Sequence, residues 1–478
     1  MQYTLEQKKE LAEQMIIKLS ELNYPLSGYQ KKGANFLILF RRAVLNFSIG
    51  LGKTATAIAA AKTITDKYPG RFLVICPSSN KYTVWAEEIK KFLGEEYYTV
   101  VDGDLQTRQK QYKADSLFVI SSYELLRRDT DLELILQFDW KGVIFDEITR
   151  IKNIHTKTYK AALKLQKYRY LFGLTGCSIE NNVADIFAIT SSVNPFVFGR
   201  YRDFKKQYLI TEPMKVWNRQ RARIVYLDKV VGHRNLDMLK EKLKYTFYIK
   251  SREDTDIAFS ESQKLLYAVE PSIAEREMYN SIVELRKDSI FAAITMLKQA
   301  CNFPRQIGFD LASSKAEELI SLLEDIGEKV IIFTQYKRTL DLLTNILEST
   351  GREIITISGE ESAKRKAEKL KQFRKATKDA ILIATDCLSY GTNLQFCNVL
   401  INYDILWNPI AMEQRLGRID RRGQKSKVVI INLIVKHSIE EKVWEVLTRK
   451  QELIKYLIGI EFGHYDEIDS DFVEWLVK

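Results

Sequence analysis

Short apolar runs recur along this chain, and each is followed by a polar stretch with helical spacing. The runs lie at Phe72–Cys76, Leu117–Ile120, Gly142–Phe145, Tyr170–Leu174, Val330–Phe333, Ile354–Ile357, Ile381–Ala384, Val399–Tyr403 and Val428–Ile434. Their apolarity is continuous rather than alternating, which predicts strands buried on both faces. Strands that alternate with helices predict an α/β fold with parallel sheets.

The strand pattern fades between residues 195 and 325, where long charged amphipathic stretches dominate, as in Leu236–Leu243 and Ala274–Leu297. The segment Ser251–Ser260 is polar and lacks periodicity, so it is predicted to be a linker. We therefore expect one domain at 1–250, with a helical insertion at about 195–250. A second domain is expected at 251–478, with a helical segment at about 270–325.

The composition of the 478 residues narrows the class of protein. A hydrophobic content of 46% is ample for packed cores, and the net charge of +11 favours a polyanionic partner such as nucleic acid. On charge alone, a basic soluble protein without such a partner is the alternative. The N-terminus lacks the apolar core of a signal peptide, and no apolar run approaches the ~18 residues of a membrane span. We expect a soluble intracellular protein without membrane contact, in the cytoplasm of a bacterium or virus-infected cell or in a nucleus.

Residues 48–54 read S-I-G-L-G-K-T, a glycine-rich turn that ends in Lys-Thr. Such a turn wraps backbone N–H groups around phosphates, while the lysine reaches the β- and γ-phosphates and the threonine hydroxyl holds Mg²⁺. Phe47 stands where the full motif has its first glycine. The expected nucleotide contacts are Gly50, Leu51, Gly52, Lys53, Thr54 and Ala55.

Two adjacent carboxylates, Asp146 and Glu147, follow the apolar run Val143–Phe145. The carboxyl end of a buried strand is where open α/β sheets bind their ligands. One carboxylate supplies a second magnesium contact, so the predicted metal ligands are Thr54 and Asp146, and the other orients water. Seen alone, the pair could be an ordinary polar strand end. With the upstream loop, it predicts hydrolysis of ATP with Mg²⁺ as cofactor.

An arginine-rich stretch lies at residues 414–424. Arg418 and Arg421 are three residues apart, so on a helix they would project from one face. A guanidinium group at the γ-phosphate stabilises transition-state charge and contributes roughly 10³–10⁵ in rate. The alternative is a solvated face that binds phosphate without specificity. If the pair belongs to the second domain, hydrolysis depends on the two domains closing.

Taken together and in order, these motifs resemble those of superfamily-two helicases, and within them the Swi/Snf-type DNA translocases. The resemblance runs from about residue 25 to about residue 447. The stretches that carry it are L-S-G-Y-Q at 26–30, G-L-G-K-T at 50–54, C-P-S at 76–78 with Trp85, S-Y-E at 122–124, D-E-I-T-R-I-K-N at 146–153, L-T-G at 174–176 with I-E-N-N at 179–182, F-T-Q at 333–335, residues 385–394, residues 414–424 and S-I-E-E-K at 438–442. Residues 393–424 are most similar to the bacterial RNA-polymerase-recycling branch.

The resemblance implies two tandem RecA-like domains, with ATP in the cleft between them and double-stranded DNA as the partner. The residues it implies as catalytic are Lys53, Asp146, Glu147, Arg418 and Arg421. It adds Gln30 as the reader of the adenine base and Gly391 and Gln414 as nucleotide contacts. The candidate nucleic-acid contacts are Ser78, Lys81, Tyr123, Lys152, Gln335 and Thr385, each of which could instead be an ordinary surface polar residue.

Three functions are compatible with these residues. The leading hypothesis is a DNA-dependent ATPase that translocates on duplex DNA without separating the strands. The second is a strand-separating helicase on DNA or RNA, which would need a pin hairpin. The third is a nucleotide-gated DNA clamp with little turnover. It is motivated by Thr149, which stands where the family has a histidine that couples hydrolysis to DNA contact, and by Cys177-Ser178 in place of Thr-Pro.

Overall fold

The computed structural model of the protein describes residues 4–14, 17–176, 183–218, 223–251, 254–255, 262–285, 290–388, 394–406, 409–420, 424 and 426–445. The chain forms two compact units that divide between Asp256 and Ile257. Each unit contains its own parallel β-sheet. Within the described residues, no helix is long and apolar enough to cross a membrane.

Unit 1 contains eleven α-helices and nine strands among its described residues. The strands are β1 (Arg42–Phe47), β2 (Phe72–Cys76), β3 (Tyr98–Val100), β4 (Phe118–Ser122), β5 (Gly142–Asp146), β6 (Tyr170–Thr175), β7 (Leu209–Asn218), β8 (Arg223–His233) and β9 (Phe247–Lys250). The helices are α1 (Leu5–Glu13), α2 (Gly28–Phe40), α3 (Lys53–Lys67), α4 (Glu87–Phe92), α5 (Leu105–Lys113), α6 (Tyr123–Leu126), α7 (Asp129–Leu136), α8 (Lys157–Lys164), α9 (Val183–Val193), α10 (Tyr201–Tyr208) and α11 (Leu236–Leu243).

The main sheet of unit 1 has the strand order β3-β4-β2-β5-β6-β1-β9, and all its pairings are parallel. Strands β2 and β5 are buried along their whole length. That burial on both faces explains the continuous apolar runs of the sequence. Because the strands are parallel, the segments that follow β4, β2, β5, β6 and β1 all leave the same edge of the sheet, in that spatial order.

Unit 2 contains six strands and six α-helices among its described residues. The strands are β10 (Ser262–Val269), β11 (Val330–Thr334), β12 (Ile354–Ile357), β13 (Ile381–Thr385), β14 (Val399–Asn402) and β15 (Val428–Val435). The helices are α12 (Ile273–Leu285), α13 (Ile290–Asn302), α14 (Ser314–Asp325), α15 (Lys337–Leu347), α16 (Ala363–Lys375) and α17 (Pro409–Leu416). The sheet is parallel throughout, in the order β10-β15-β14-β11-β13-β12. The predicted α/β class with two parallel sheets is therefore confirmed.

The segment 195–250, which was expected to be helical, is helical only at α10 and α11. Between them, β7 and β8 form an antiparallel hairpin, and β9 then joins the main sheet beside β1. The physical reason lies in the residue types, because V-W, I-V-Y and V-V are β-branched or aromatic and favour extended backbone. The charged residues between these apolar pairs suggested an amphipathic helix. The preference of the apolar residues for extended backbone, together with the pairing of β7 with β8, stabilises the hairpin instead.

Candidate nucleotide-hydrolysis site

The phosphate loop connects β1 to α3 and depends on two glycines with positive φ. Gly50 has φ 90° and Gly52 has φ 75°, in the left-handed region that side chains disfavour. Gly52 is the N-cap residue of α3, and its carbonyl accepts from the Thr56 N–H at 3.1 Å. The N–H groups of the first helical turn point toward this loop, and together with the helix dipole they make this end of α3 a favourable place for an anion.

The loop is braced by α2. The Leu51 carbonyl accepts hydrogen bonds from Gln30 Nε2 at 3.0 Å and from the Tyr29 hydroxyl at 2.9 Å. The other end of the Gln30 amide accepts from the Ser27 N–H at 2.8 Å, in the capping box of α2. Both ends of this side chain are therefore engaged with the chain itself. Its role as the reader of adenine stays a prediction, and the role that the geometry gives it is to hold the phosphate loop.

Lys53 is the first residue of α3, and its ammonium group donates to the Phe47 carbonyl at 3.0 Å. Thr54 follows on the first turn and is half-buried, while Ala55 is buried. The Ser48 hydroxyl is buried and has no hydrogen-bond partner among the described residues. A loop with a lysine, a buried hydroxyl without a partner among the described residues and a helix N-terminus fits a phosphate group.

Asp146 ends β5 and is buried. Its Oδ2 atom accepts from Asn80 Nδ2 and from Trp85 Nε1, each at 3.1 Å, and its backbone carbonyl accepts from the Tyr123 hydroxyl at 2.8 Å. Burial raises the pKa of Asp146, although the two hydrogen bonds and the nearby charge of Lys53 act in the opposite direction. A positive charge beside this carboxylate, such as a bound cation, would favour the ionised form. The residues thus fit a magnesium ion held by Thr54 and Asp146.

Glu147 has φ 48° and ψ 57°, so it is a non-glycine residue in the left-handed region. It is the N-cap residue of a 3₁₀ turn at Ile148–Ile151, which contains the buried Thr149. Such backbone strain costs on the order of 1–3 kcal/mol and clusters at functional sites. The strain at Glu147 is consistent with its predicted role in orienting water.

The order of strands brings these parts together in unit 1. Strand β6 lies between β5 and β1, and it ends at Thr175, which is followed by Gly176. A Cβ built on Gly176 would lie 3.7 Å from Lys53 Nζ. The phosphate loop, this Thr-Gly pair and Asp146 therefore leave one sheet edge side by side. The residues that continue this stretch of the family resemblance, 177–182, lie outside the described residues.

The four candidate nucleic-acid contacts of unit 1 differ in exposure. Ser78 is exposed and its hydroxyl donates to Glu124 at 2.6 Å, and Lys152 is half-buried. Lys81 is buried, with its ammonium group on the Val101 carbonyl at 2.9 Å. Tyr123 is also buried, and its hydroxyl donates to the backbone carbonyl of Asp146. For Lys81 and Tyr123, this geometry does not support a phosphate contact, because both side chains are buried and their polar ends face internal partners.

Two further nucleic-acid candidates lie in unit 2, at the ends of neighbouring strands. Gln335 follows β11 and is half-buried, and its side-chain oxygen accepts from Lys298 at 3.1 Å. Thr385 ends β13 and is largely buried, and its hydroxyl contacts the Cys387 thiol at 3.4 Å. Because β11 and β13 are parallel neighbours, both residues lie at the same edge of the sheet, and direct contact with nucleic acid stays a prediction.

The arginine-rich stretch begins on α17 and continues beyond it. Gln414 lies on the helix, and its carbonyl accepts from Arg418 Nε at 3.1 Å. The helix ends at Leu416, so Arg418 lies in the turn that follows rather than on a helical face. Arg421 and Gly391 lie outside the described residues.

Comparison with known proteins identifies the family. The model of the SNF2-related domain matches residues 29–306, which is more than half of the chain, and that of the helicase conserved C-terminal domain matches residues 314–423. The chain belongs to the SNF2-related family. As a member that also carries the helicase C-terminal domain, this SNF2-family protein is an ATP hydrolase.

Relatives of this SNF2-family chain include bacterial and eukaryotic proteins. It is 27% identical to the uncharacterized ATP-dependent helicase YqhH of Bacillus subtilis, over 87% of this chain and 76% of that protein. It is 25% identical to the chromatin-remodeling complex ATPase ISW1 of Saccharomyces cerevisiae, over 91% of this chain but only 41% of that protein. A solved structure of the Sulfolobus solfataricus SWI2/SNF2 ATPase core in complex with double-stranded DNA is 26% identical, with 93% of this chain and 95% of that chain covered and a TM-score of 0.46.

Several buried polar residues at the strand ends of the two sheets had no role assigned from the sequence. Asn80 and Trp85 hold the carboxylate of Asp146, as described above. In unit 2, the buried Asp404 accepts from the Thr334 hydroxyl and the Gln335 N–H, each at 2.7 Å. The available signal for Asp404 was its position directly after the apolar run Val399–Tyr403.

The buried Arg415 completes this network in unit 2. Its guanidinium group donates to Asp386 at 2.7 Å, to Asn402 at 3.1 Å and to the Asp404 carbonyl at 3.1 Å. Burial tends to raise the pKa of Asp404, but the Arg415 charge and the hydrogen bonds from Gln335 and Thr334 hold it below its ordinary value. The network therefore links the ends of β11, β13 and β14 to the arginine-rich stretch by paired charges, of which Arg415 and Asp404 are buried and Asp386 is half-buried.

Proposed function

We propose that this protein is a DNA-stimulated ATPase that translocates on double-stranded DNA without separating its strands. The observation that carries the proposal is the edge of the unit 1 sheet, where the phosphate loop, Thr175-Gly176 and Asp146 follow three adjacent strands. The membership of the SNF2-related family and the net charge of +11 support nucleic acid as the partner. Relatives named as a helicase and as a chromatin-remodeling ATPase support a role in moving along or displacing material on DNA.

Different residues of unit 1 are proposed to bind the phosphates, hold the metal ion and orient the attacking water. Lys53 and the N–H groups after Gly52 bind the phosphates, where their positive partial charges offset the charge of the triphosphate. Thr54 and Asp146 would hold Mg²⁺, which supplies charge neutralisation at the phosphates. Glu147 orients the attacking water. In unit 2, Arg418 is proposed to stabilise the charge that develops in the transition state.

Contacts to DNA are proposed to be mainly phosphate contacts, because Ser78 and Lys152 offer a hydroxyl and an ammonium group rather than a base-reading surface. Such contacts do not depend on sequence and weaken as salt is added. Translocation requires that the nucleotide-bound and nucleotide-free states differ in affinity for the duplex.

Phosphate release tests the proposal, measured without nucleic acid and with single-stranded DNA, duplex DNA, forked DNA or RNA. Duplex DNA is expected to stimulate release most, and added salt should reduce the stimulation. Lys53→Ala should abolish release, whereas Lys62→Ala, on the same helix and paired with the exposed Asp66, should not. Displacement of a triplex-forming strand from a duplex then measures translocation directly.

The remaining outcomes of this assay are informative. ATP turnover near zero with and without duplex, together with nucleotide-dependent duplex binding, would favour the clamp. Turnover that responds to RNA but not to duplex DNA would reject a duplex translocase.

The hairpin in unit 1 favours strand separation as a second candidate. Strands β7 and β8 pair from Leu209 opposite His233 to Asn218 opposite Arg223, and residues 219–222, which lie between them in the sequence, are outside the described residues. The base of the hairpin is held in place by Arg234, which donates a hydrogen bond to the Leu209 carbonyl at 2.9 Å. A hairpin of this length is the kind of element that a strand-separating enzyme uses as a pin.

A shortened hairpin separates the two candidates. Pro213 and Asp228 are opposite each other, so they can be joined through an Asn-Gly turn that leaves the base in place. If the wild type unwinds a forked duplex and the shortened form loses unwinding but keeps duplex-stimulated ATP turnover, the protein is a helicase. If neither unwinds but both displace a triplex strand, the translocase is supported.

A further inference from the structure

One short segment of unit 1, residues 78–86, supplies two hydrogen-bond donors to the same carboxylate oxygen. Asn80 Nδ2 and Trp85 Nε1 both reach Asp146 Oδ2, each at 3.1 Å. Asn80 is 6% exposed and Trp85 is fully buried. An indole N–H is a donor only, so Trp85 can hold the oxygen of a carboxylate but cannot accept a proton from it. Neither side chain carries a charge, so neither competes with a cation for Asp146.

The local backbone explains how residues five apart can reach one atom. Asn80 precedes a π-helical stretch, Lys81–Ala86, after which the chain continues as α4. In an α-helix, side chains five residues apart point about 140° away from each other, because each residue turns by about 100°. The wider π turn reduces this divergence, and such turns are frequent at functional sites.

The position of the segment follows from the sheet. Strand β2 is the direct parallel neighbour of β5, so the chain that leaves β2 passes beside Asp146. The same segment begins with Ser78, which is exposed and donates to Glu124 at 2.6 Å. Glu124 in turn lies 3.7 Å from Arg150, in the stretch that follows Asp146. The segment is therefore exposed at Ser78, a candidate phosphate contact. Its side chains Asn80 and Trp85 instead hold Asp146, the predicted magnesium ligand.

We propose that Asn80 and Trp85 are positioning residues that fix the Asp146 carboxylate for Mg²⁺, and that occupancy of the Ser78 surface by duplex DNA acts on the nucleotide site through them. This inference rests on the proposed nucleotide site. Partners that orient a metal ligand in this way commonly contribute about 10- to 100-fold to metal affinity. Because coupling between two ligands is reciprocal, Mg²⁺-nucleotide should also tighten binding of duplex DNA.

The test measures binding rather than turnover, with Trp85→Phe as the variant and Trp140→Phe as the matched control. Both indoles are buried in unit 1, and Trp140 donates its N–H to the Ile135 carbonyl at 2.9 Å, so each change removes one buried hydrogen bond. Binding of a fluorescent ADP analogue is titrated with Mg²⁺. Trp85→Phe should raise the half-saturating Mg²⁺ concentration by about 10- to 100-fold, with nucleotide affinity in EDTA unchanged. Trp140→Phe should leave both values at the wild-type level.

A second variant keeps the inference testable if Trp85→Phe does not fold. Asn80→Ala removes the other donor and should shift the Mg²⁺ requirement in the same direction, while Asn80→Asp should shift it further because it adds a like charge. In the wild type, duplex DNA should lower the half-saturating Mg²⁺ concentration, and this effect should shrink in either donor variant. Circular dichroism confirms that each variant is folded.

Failure of the inference differs from failure of the proposed site. If folded Trp85→Phe and Asn80→Ala bind Mg²⁺-nucleotide like the wild type, and respond to duplex like the wild type, the two residues have no positioning role, while the site stands. If the wild type itself shows no Mg²⁺-dependent nucleotide binding, or if Lys53→Ala binds nucleotide normally, the proposed nucleotide site is wrong. The inference, which rests on that site, is then wrong as well.

Discussion

The side-chain amide of Gln30 occupies the space that a side chain at position 52 would need. A Cβ added to Gly52 would overlap Gln30 Nε2, which is hydrogen-bonded to the Leu51 carbonyl at 3.0 Å. Gly52 also has φ 75°, where an L side chain is strained. The glycine of the phosphate loop is therefore required both by its own backbone and by a residue of the preceding helix.

Gly52→Ala should weaken nucleotide binding by more than tenfold. The added methyl group would displace Gln30 from Leu51, and leaving the buried partners unpaired costs about 1–3 kcal/mol. Gly199→Ala is the matched control, because Gly199 has φ 67° with nothing within 4 Å of the added Cβ. That control should show only the backbone cost of about 1–2 kcal/mol in stability. Nucleotide titration and thermal unfolding check the pair, and equal nucleotide affinities would contradict the steric argument.

Arg418→Ala should lower ATP turnover by roughly 10³-fold or more while nucleotide affinity changes little, because the guanidinium is proposed to act on transition-state charge. Arg305→Ala is a suitable control, since Arg305 is exposed and pairs only at the surface with Asp310, at 3.0 Å. Steady-state kinetics and equilibrium binding of nucleotide separate the two effects. A variant that loses binding and turnover together would instead indicate a structural role for Arg418.

Asp131→Ala should destabilise unit 1 by about 3–5 kcal/mol, the usual cost of leaving one partner of a buried ion pair alone. Asp131 is fully buried and accepts from Arg108 Nε at 2.7 Å and Nη2 at 2.8 Å. Glu95→Ala, which removes the exposed ion pair with Lys90, should change stability by less than about 1 kcal/mol. Urea unfolding followed by circular dichroism measures both, and similar losses would show that burial does not decide the outcome.

Asp404→Asn should lower stability in a pH-dependent way. The pKa of Asp404 lies below its ordinary value in the folded protein, because Arg415 and the donors at Gln335 and Thr334 favour the carboxylate despite burial. The stabilisation is therefore fully present well above the unfolded pKa of about 3.9 and is lost as the pH falls toward the lower folded pKa. The difference in unfolding free energy between wild type and variant should be constant from pH 8 to about pH 5 and shrink below that. A difference that grew on acidification would refute the assignment.

Much of this protein is encoded locally. Nine apolar runs predicted nine strands of the two parallel sheets, because burial on both faces leaves a continuous apolar signature in the sequence. The phosphate loop was also predictable, since positive φ at Gly50 and Gly52 is a requirement of the local backbone. Strand β1 was not predicted, because Asn46 interrupts its apolar run with a polar residue that the fold buries.

The roles of individual polar side chains needed the tertiary structure. Lys81 and Tyr123 have the residue types of phosphate contacts, but the fold turns both inward onto internal acceptors. Asn80 and Trp85 carry no catalytic signature, yet the pairing of β2 with β5 places them on Asp146. The sequence determined which residues form the strands, the loop and the carboxylate pair, because those depend on neighbours along the chain. Only the folded structure decided which donor meets which acceptor, because such partners lie tens of residues apart and meet through strand order.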